Sequence, residues 1–157
     1  MSENKKSAME IASAYLASRM RTVNEVRKHL KEKGCDEAEA EDAIADLLDL
    51  GYLDDYQYAL RYYEYNHDKR RGTLRAEREL FEKGVDRDII HNAKEDYLFE
   101  SKIDEYEDAL VEAKKLTEEK EFDEKLAAKT ARKLEGKGFS RSDIFKVLDA
   151  LRRERTD

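Results

Sequence analysis

The string Leu-x-x-Lys-Gly occurs three times in this 157-residue chain, at Leu30–Gly34, Leu80–Gly84 and Leu134–Gly138. Repetition at such a period means that one small supersecondary unit recurs, and it restricts the fold before any local pattern is considered. Each glycine is followed by one apolar residue (Cys35, Val85, Phe139) and then by a short polar residue (Asp36, Asp86, Ser140). A glycine just past a helix end adopts the left-handed conformation without a Cβ clash, and Asp or Ser then caps a following helix. Three helix–turn–helix corners are therefore expected.

Periodicity on both sides of each corner agrees. Six, nine and thirteen residues beyond the glycines stand Ala40, Ala43 and Leu47, then Ile90, Ala93 and Tyr97, then Ile144, Val147 and Leu151. Spacings of three and four place each set on one helix face. Before the glycines the matching stripes are Val23, Val26, Leu30; Thr73, Ala76, Leu80; and Ala127, Thr130, Leu134. Thr22 with Glu25 reads as a capping box. A further helical stretch precedes each corner, at about 7–20, 55–66 and 107–118. The loosest junctions are expected around 100–106 and 117–121. The chain contains no proline and only six glycines, so little interrupts these helices. The expected fold is all-α: three tandem three-helix repeats, at 7–54, 55–100 and 105–155, in an elongated, curved array. Units this small depend on their neighbours for stability.

Charge restricts the partners. Lys and Arg number 31 against 38 Asp and Glu, a net charge of −7, and no third of the chain is basic. That excludes wrapping a polyanion over the whole surface, so phosphate contact would need a local cluster. One cysteine, Cys35, excludes an internal disulfide framework and fits a reducing compartment. No apolar run has the length of a signal peptide core or a membrane span. A cytoplasmic, monomeric protein without membrane contact is the expectation.

Catalytic chemistry finds few candidates. His29, His67 and His91 are far apart and lack metal-ligand spacing, and they read as surface or partly buried imidazoles. No nucleophile elbow, phosphate-cradling glycine loop or dinucleotide fingerprint occurs. The acids Glu39, Glu41, Asp42, Asp46 and Asp49 form a solvated face. Catalytic, cofactor-binding and metal-ligating residues are therefore none, and no cofactor is expected. The junction Gly51-Tyr52-Leu53-Asp54-Asp55 reads as a helix stop, an apolar staple and a new cap. Six of the nine tyrosines lie between Tyr52 and Tyr65; Tyr58, Tyr62 and Tyr65 repeat at helical spacing, as core or as a base-stacking platform. The basic run Lys69-Arg70-Arg71-Gly72, with Arg75 and Arg78, has two readings. It is either a solvated face paired with Glu77, Glu79 and Glu82, or an electrostatic contact with phosphate or an acidic protein surface. Thr73 is the expected cap of the helix that carries Arg75 and Arg78.

In order along the chain, Tyr15-Leu16, Arg19, Arg21-Thr22, Glu25-Val26, Leu30 and Lys33-Gly34 lead to Gly51-Tyr52-Leu53-Asp54-Asp55 and Tyr58-Ala59. Arg71-Gly72, Arg75, Glu79-Leu80 and Lys83-Gly84-Val85 follow, and Arg132 to Phe139 with Asp143-Ile144 closes the series. This ordered set, from about Ala8 to Leu151, resembles the bacterial RecX regulatory family. The resemblance implies a small cytoplasmic, non-catalytic modulator of tandem three-helix repeats. Its implied partner is the RecA recombinase filament on single-stranded DNA, bound along the helical groove. Filament growth, ATP hydrolysis, strand exchange and coprotease action would be inhibited, restraining the DNA-damage response. Lys69, Arg70, Arg71, Arg75 and Arg78 are the candidate partner-binding residues. A helical DNA-binding module contacting phosphates through the same cluster remains the alternative, and weak direct DNA contact is compatible with both.

Overall fold

The structure, a computed structural model, describes residues 5–156. Among them are nine helices and no strand: α1 (Ala8–Ser18), α2 (Val23–Glu32), α3 (Glu37–Asp49), α4 (Asp55–Asp68), α5 (Thr73–Glu82), α6 (Arg87–Ser101), α7 (Glu105–Thr117), α8 (Glu124–Lys137) and α9 (Arg141–Thr156). They form three successive triplets, the all-α repeat architecture expected.

All three corners close by the same main-chain device. Gly34, Gly84 and Gly138 have φ of 82°, 85° and 101°. The N–H after each glycine donates five residues back, Cys35 to Leu30, Val85 to Leu80 and Phe139 to Leu134. Each glycine N–H donates three residues back, which completes a Schellman closure. Gly51 repeats the device at the end of α3, and Asp54 then accepts from the Gln57 N–H at 3.1 Å. Of the two staple candidates there, Leu53 is buried and Tyr52 is exposed.

The helices pack into two compact units. One comprises the described residues through Leu60 together with Leu80–Ala93, and the other comprises Arg61–Glu79 together with the described residues from Lys94 onward. In the first, Val26, Leu30, Ala40, Ala43, Ile44, Leu47 and Leu53 form a core with Ala8 and Ala12. Burying one such leucine contributes about 1.5–3 kcal/mol. The Thr22–Glu25 capping box is present, at 2.9 and 3.1 Å. Thr22 also donates its hydroxyl to the Lys83 carbonyl at 3.1 Å, which seats the start of α2 on the Gly84 corner. His29 stacks on Tyr15, ring centroids 3.9 Å apart.

In the second unit, Ala109, Ala113, Leu134, Phe139, Ile144, Val147 and Leu151 form the core. The start of α5 seats on the Gly138 corner, as the start of α2 does on the Gly84 corner. Gly72 N–H donates to the Lys137 carbonyl at 2.9 Å, and Leu74 N–H donates to the Gly138 carbonyl at 3.1 Å. The approach leaves no room for a side chain: a Cβ on Gly72 would lie 2.3 Å from the Gly138 oxygen.

Two expectations change. The tyrosine stripe keeps only its first member in the core: Tyr58 is buried, Tyr62 is half-buried and Tyr65 is exposed, while Ala59, Tyr63 and Asn66 are fully buried on α4. Tyr63 takes the inward position because its ring packs on Tyr97, centroids 5.8 Å apart. The junction at 117–121 is pinned, because Arg155 donates to the Thr117 and Lys120 carbonyls at 3.1 and 2.7 Å.

Candidate functional site: the basic corner between α4 and α5

The basic run occupies the turn between α4 and α5. Helix α4 ends at Asp68, and Asn66, fully buried, reaches past that end. Its Nδ2 donates to the Gly72 carbonyl at 2.9 Å and approaches the Arg71 carbonyl at 3.4 Å. The Arg71 N–H donates back to the Asn66 carbonyl. Asn66 thus ties the turn on which Lys69, Arg70 and Arg71 stand. Arg70 is in the left-handed region, φ 60°, and Glu119 takes the same conformation, φ 59°, two residues after the end of α7. The conformation recurs at the equivalent place in the third triplet and gives Arg70 no special status.

Helix α5 opens at Thr73 itself and is not capped by it. The Thr73 N–H and hydroxyl both donate to the Glu105 carboxylate, at 2.6 and 2.8 Å. A carboxylate on α7 therefore satisfies one of the orphan N–H donors at the start of α5.

Glu105 begins a row. Glu105, Asp108 and Glu112 are spaced three and four along α7, on one face. Asp108 Oδ2 lies 3.0 Å from His67 Nε2. Glu112 Oε1 lies 3.9 Å from Arg70 Nη1 and 3.8 Å from Lys115 Nζ. A cleft of about 270 Å³ opens here, lined by His67, Arg70, Arg71, Asp108, Val111, Glu112, Lys115 and Phe139.

The five candidate residues divide accordingly. Arg70 and Arg71 line the cleft. Arg75 turns along its own helix, with Nε 3.7 Å from Glu79 and an Nη1–H donated to the Gly136 carbonyl at 3.3 Å. Lys69 lies over the Tyr65 ring at 5.6 Å, and Arg78 is exposed. Among the described residues, Arg75 with Glu79 is the one expected pairing that forms; Glu77 lies 3.4 Å from Lys94 instead. The α7 acids were not singled out from the sequence. Their 3–4 spacing was visible, but nothing local linked them to residues 32 to 42 positions earlier.

The neighbouring tyrosines do not titrate near neutrality. Burial, with nearby acids such as Glu64 and Asp68, pushes Tyr97 up to about 12. Burial first, then Glu77 and Glu105, raises Tyr63 further. Among the described residues no group of three or more His, Cys, Asp or Glu is placed to hold a metal ion. No helix of the described residues is long and apolar enough to cross a membrane.

This arrangement can hold anionic groups at a fixed corner. The family model for "RecX, first three-helix domain" matches residues 8–47. "Regulatory protein RecX" of Bacillus cytotoxicus is 32% identical over 147 residues, covering 93% of this chain and 54% of that protein. The Bacillus cereus (strain G9842) protein of the same name is 33% identical over 149 residues, with the same coverage. The chain thus spans about half the length of these relatives. The crystal structure of RecX from Lactobacillus salivarius superposes with a TM-score of 0.78 at 26% identity, covering 92% of this chain and 94% of that one. A second, of "regulatory protein RecX", gives 0.77 at 26% identity, covering 90% and 71%. In its first domain, along almost its whole sequence and in its fold, the chain is similar to the RecX regulatory proteins.

Proposed function

We propose that this protein is a non-catalytic regulator that binds the RecA recombinase filament on single-stranded DNA and inhibits its ATPase, strand-exchange and coprotease activities. The similarity to regulatory RecX proteins along 93% of the chain carries this reading. Repeated helical corners supply the physical means: many weak contacts along a polymer add through effective concentration, and no reaction centre is needed. The basic corner, Lys69 to Arg78, is one of these contacts.

The test is the single-stranded-DNA-dependent ATPase of a recombinase, titrated with the full chain. Inhibition well below one molecule per filament subunit is expected. Reversal of Arg70, Arg71, Arg75 and Arg78 to glutamate should raise the half-inhibiting concentration at least tenfold while the helical circular dichroism is retained. Full inhibition by that folded variant would remove the cluster from the interface. Absence of inhibition by the parent chain would overturn the reading.

One observation favours direct DNA contact as the second reading: Tyr65 is exposed beside Lys69, a stacking ring next to a cation. Tight binding of a bare oligonucleotide at physiological salt would select it.

A further inference from the structure

The carboxylates on α7 meet the basic corner with very unequal strength. Glu105 closes two short hydrogen bonds on Thr73. Glu112, two turns further along the same face, closes no side-chain hydrogen bond among the described residues. Its Oε1 lies 3.8–3.9 Å from both Lys115 and Arg70, beyond hydrogen-bond distance. By contrast, Arg27 grips Glu41 with two bonds of 2.7 and 2.9 Å. Glu112 keeps only 11% of its side-chain surface, whereas Arg70 exposes 64%. The acid is thus held in the cleft wall while its cation faces solvent. Three permanent cations (Arg70, Arg71, Lys115) line the cleft against two carboxylates, and His67 is already at Asp108. An incoming oxyanion that reaches true hydrogen-bond distance improves on every contact Glu112 makes.

We propose that Asp108 and Glu112 act as an internal stand-in for the partner, shielding the corner until an acidic helix face of the bound protein displaces them. This rests on the corner being a partner contact, as proposed above. Side-chain carboxylates are favoured over phosphates as the ligand, because the cleft already accommodates two carboxylates one helical turn apart. A net charge of −7 also holds a bare polyanion away. A partner helix bearing Asp or Glu at positions i and i+4 reproduces that geometry and meets Arg70, Arg71 and Lys115. His67 then loses its acid or shares it.

The experiment compares the full-length parent chain with Asp108→Asn/Glu112→Gln, and with Arg70→Glu/Arg71→Glu. Two readouts are used: half-inhibition of the recombinase–DNA filament ATPase, and anisotropy of a labelled oligothymidylate without recombinase. Removing the Asp108 and Glu112 charges should tighten filament binding roughly threefold to tenfold. The arginine reversal should weaken it, and bare oligonucleotide should gain much less than filament. Unchanged or weaker filament binding by the amide variant, with the arginine reversal still harmful, would overturn the shielding while leaving the corner in the interface. No effect of either variant would overturn the corner itself. An equal gain on bare oligonucleotide would make phosphate the ligand and overturn the acidic-helix partner. Should the double variant unfold, Glu112→Gln alone decides, because that side chain has no hydrogen bond to lose.

Discussion

Gly72 and Gly136 show how one substitution takes opposite signs from context. A Cβ on Gly72 would meet the Gly138 and Phe139 backbone at 2.3–2.7 Å, and no flexible side chain is there to yield. Gly136 lies inside α8 with nothing within 4 Å of its Cβ position. Gly72→Ala should therefore cost about 2–3 kcal/mol by prying the seam apart, whereas Gly136→Ala should stabilise by about 0.5–1 kcal/mol. Urea denaturation of both variants checks the pair; equal signs would contradict the close approach. The sequence marked Gly34, Gly84 and Gly138 as special because each recurs in a motif. Gly72 was legible only as part of a basic string, since its constraint comes from a backbone 66 residues away.

At the scale of the element, capping chemistry was readable where it is local and unreadable where it is supplied from afar. Thr22 with Glu25, and Asp54 with Gln57, are separated by three residues, and both behave as their spacing implies. Thr73 looked like the same kind of cap, but the carboxylate serving α5 comes from Glu105, 32 residues later. Glu105→Ala should therefore cost about 2–3 kcal/mol, as expected when two charge-assisted bonds are lost at a half-buried site. Hydrogen exchange offers the local readout: amides in the first turn of α5 should lose protection before those of α8. Uniform loss would show that the latch does not act on that turn. The tyrosine stripe slipped for a related reason. A period of three and four fits both Tyr58–Tyr62–Tyr65 and Ala59–Tyr63–Asn66; Tyr58 and Ala59 are both buried, and one turn later the Tyr97 ring selects Tyr63 over Tyr62.

For the molecule as a whole, the net charge of −7 and the uneven pairing of the basic run set an expectation for naked DNA. Lys69, Arg71 and Arg78 make no ion pair among the described residues, so about three phosphates could be neutralised. With single strands the logarithm of affinity should then fall with the logarithm of salt at a slope near −2. A slope of −5 or steeper would mean that a larger basic surface engages the strand. The all-α class and the triplet count were legible in full, because each repeat restates the same pattern and so confirms the others. The carboxylate row opposite the basic corner was not, because it arises only when the second and third triplets meet.

The seats of α2 on the Gly84 corner and of α5 on the Gly138 corner rest largely on carbonyl oxygens, amide protons and the missing side chain of a glycine, with the Thr22 and Arg75 side chains as added donors. Natural substitution can rewrite nearly every side chain around such a joint without disturbing its geometry. That is the circumstance in which two chains share only 26% of their residues and still superpose with a TM-score of 0.78. A joint made this way can also be copied, so lengthening the protein requires a duplicated triplet and no newly invented contact.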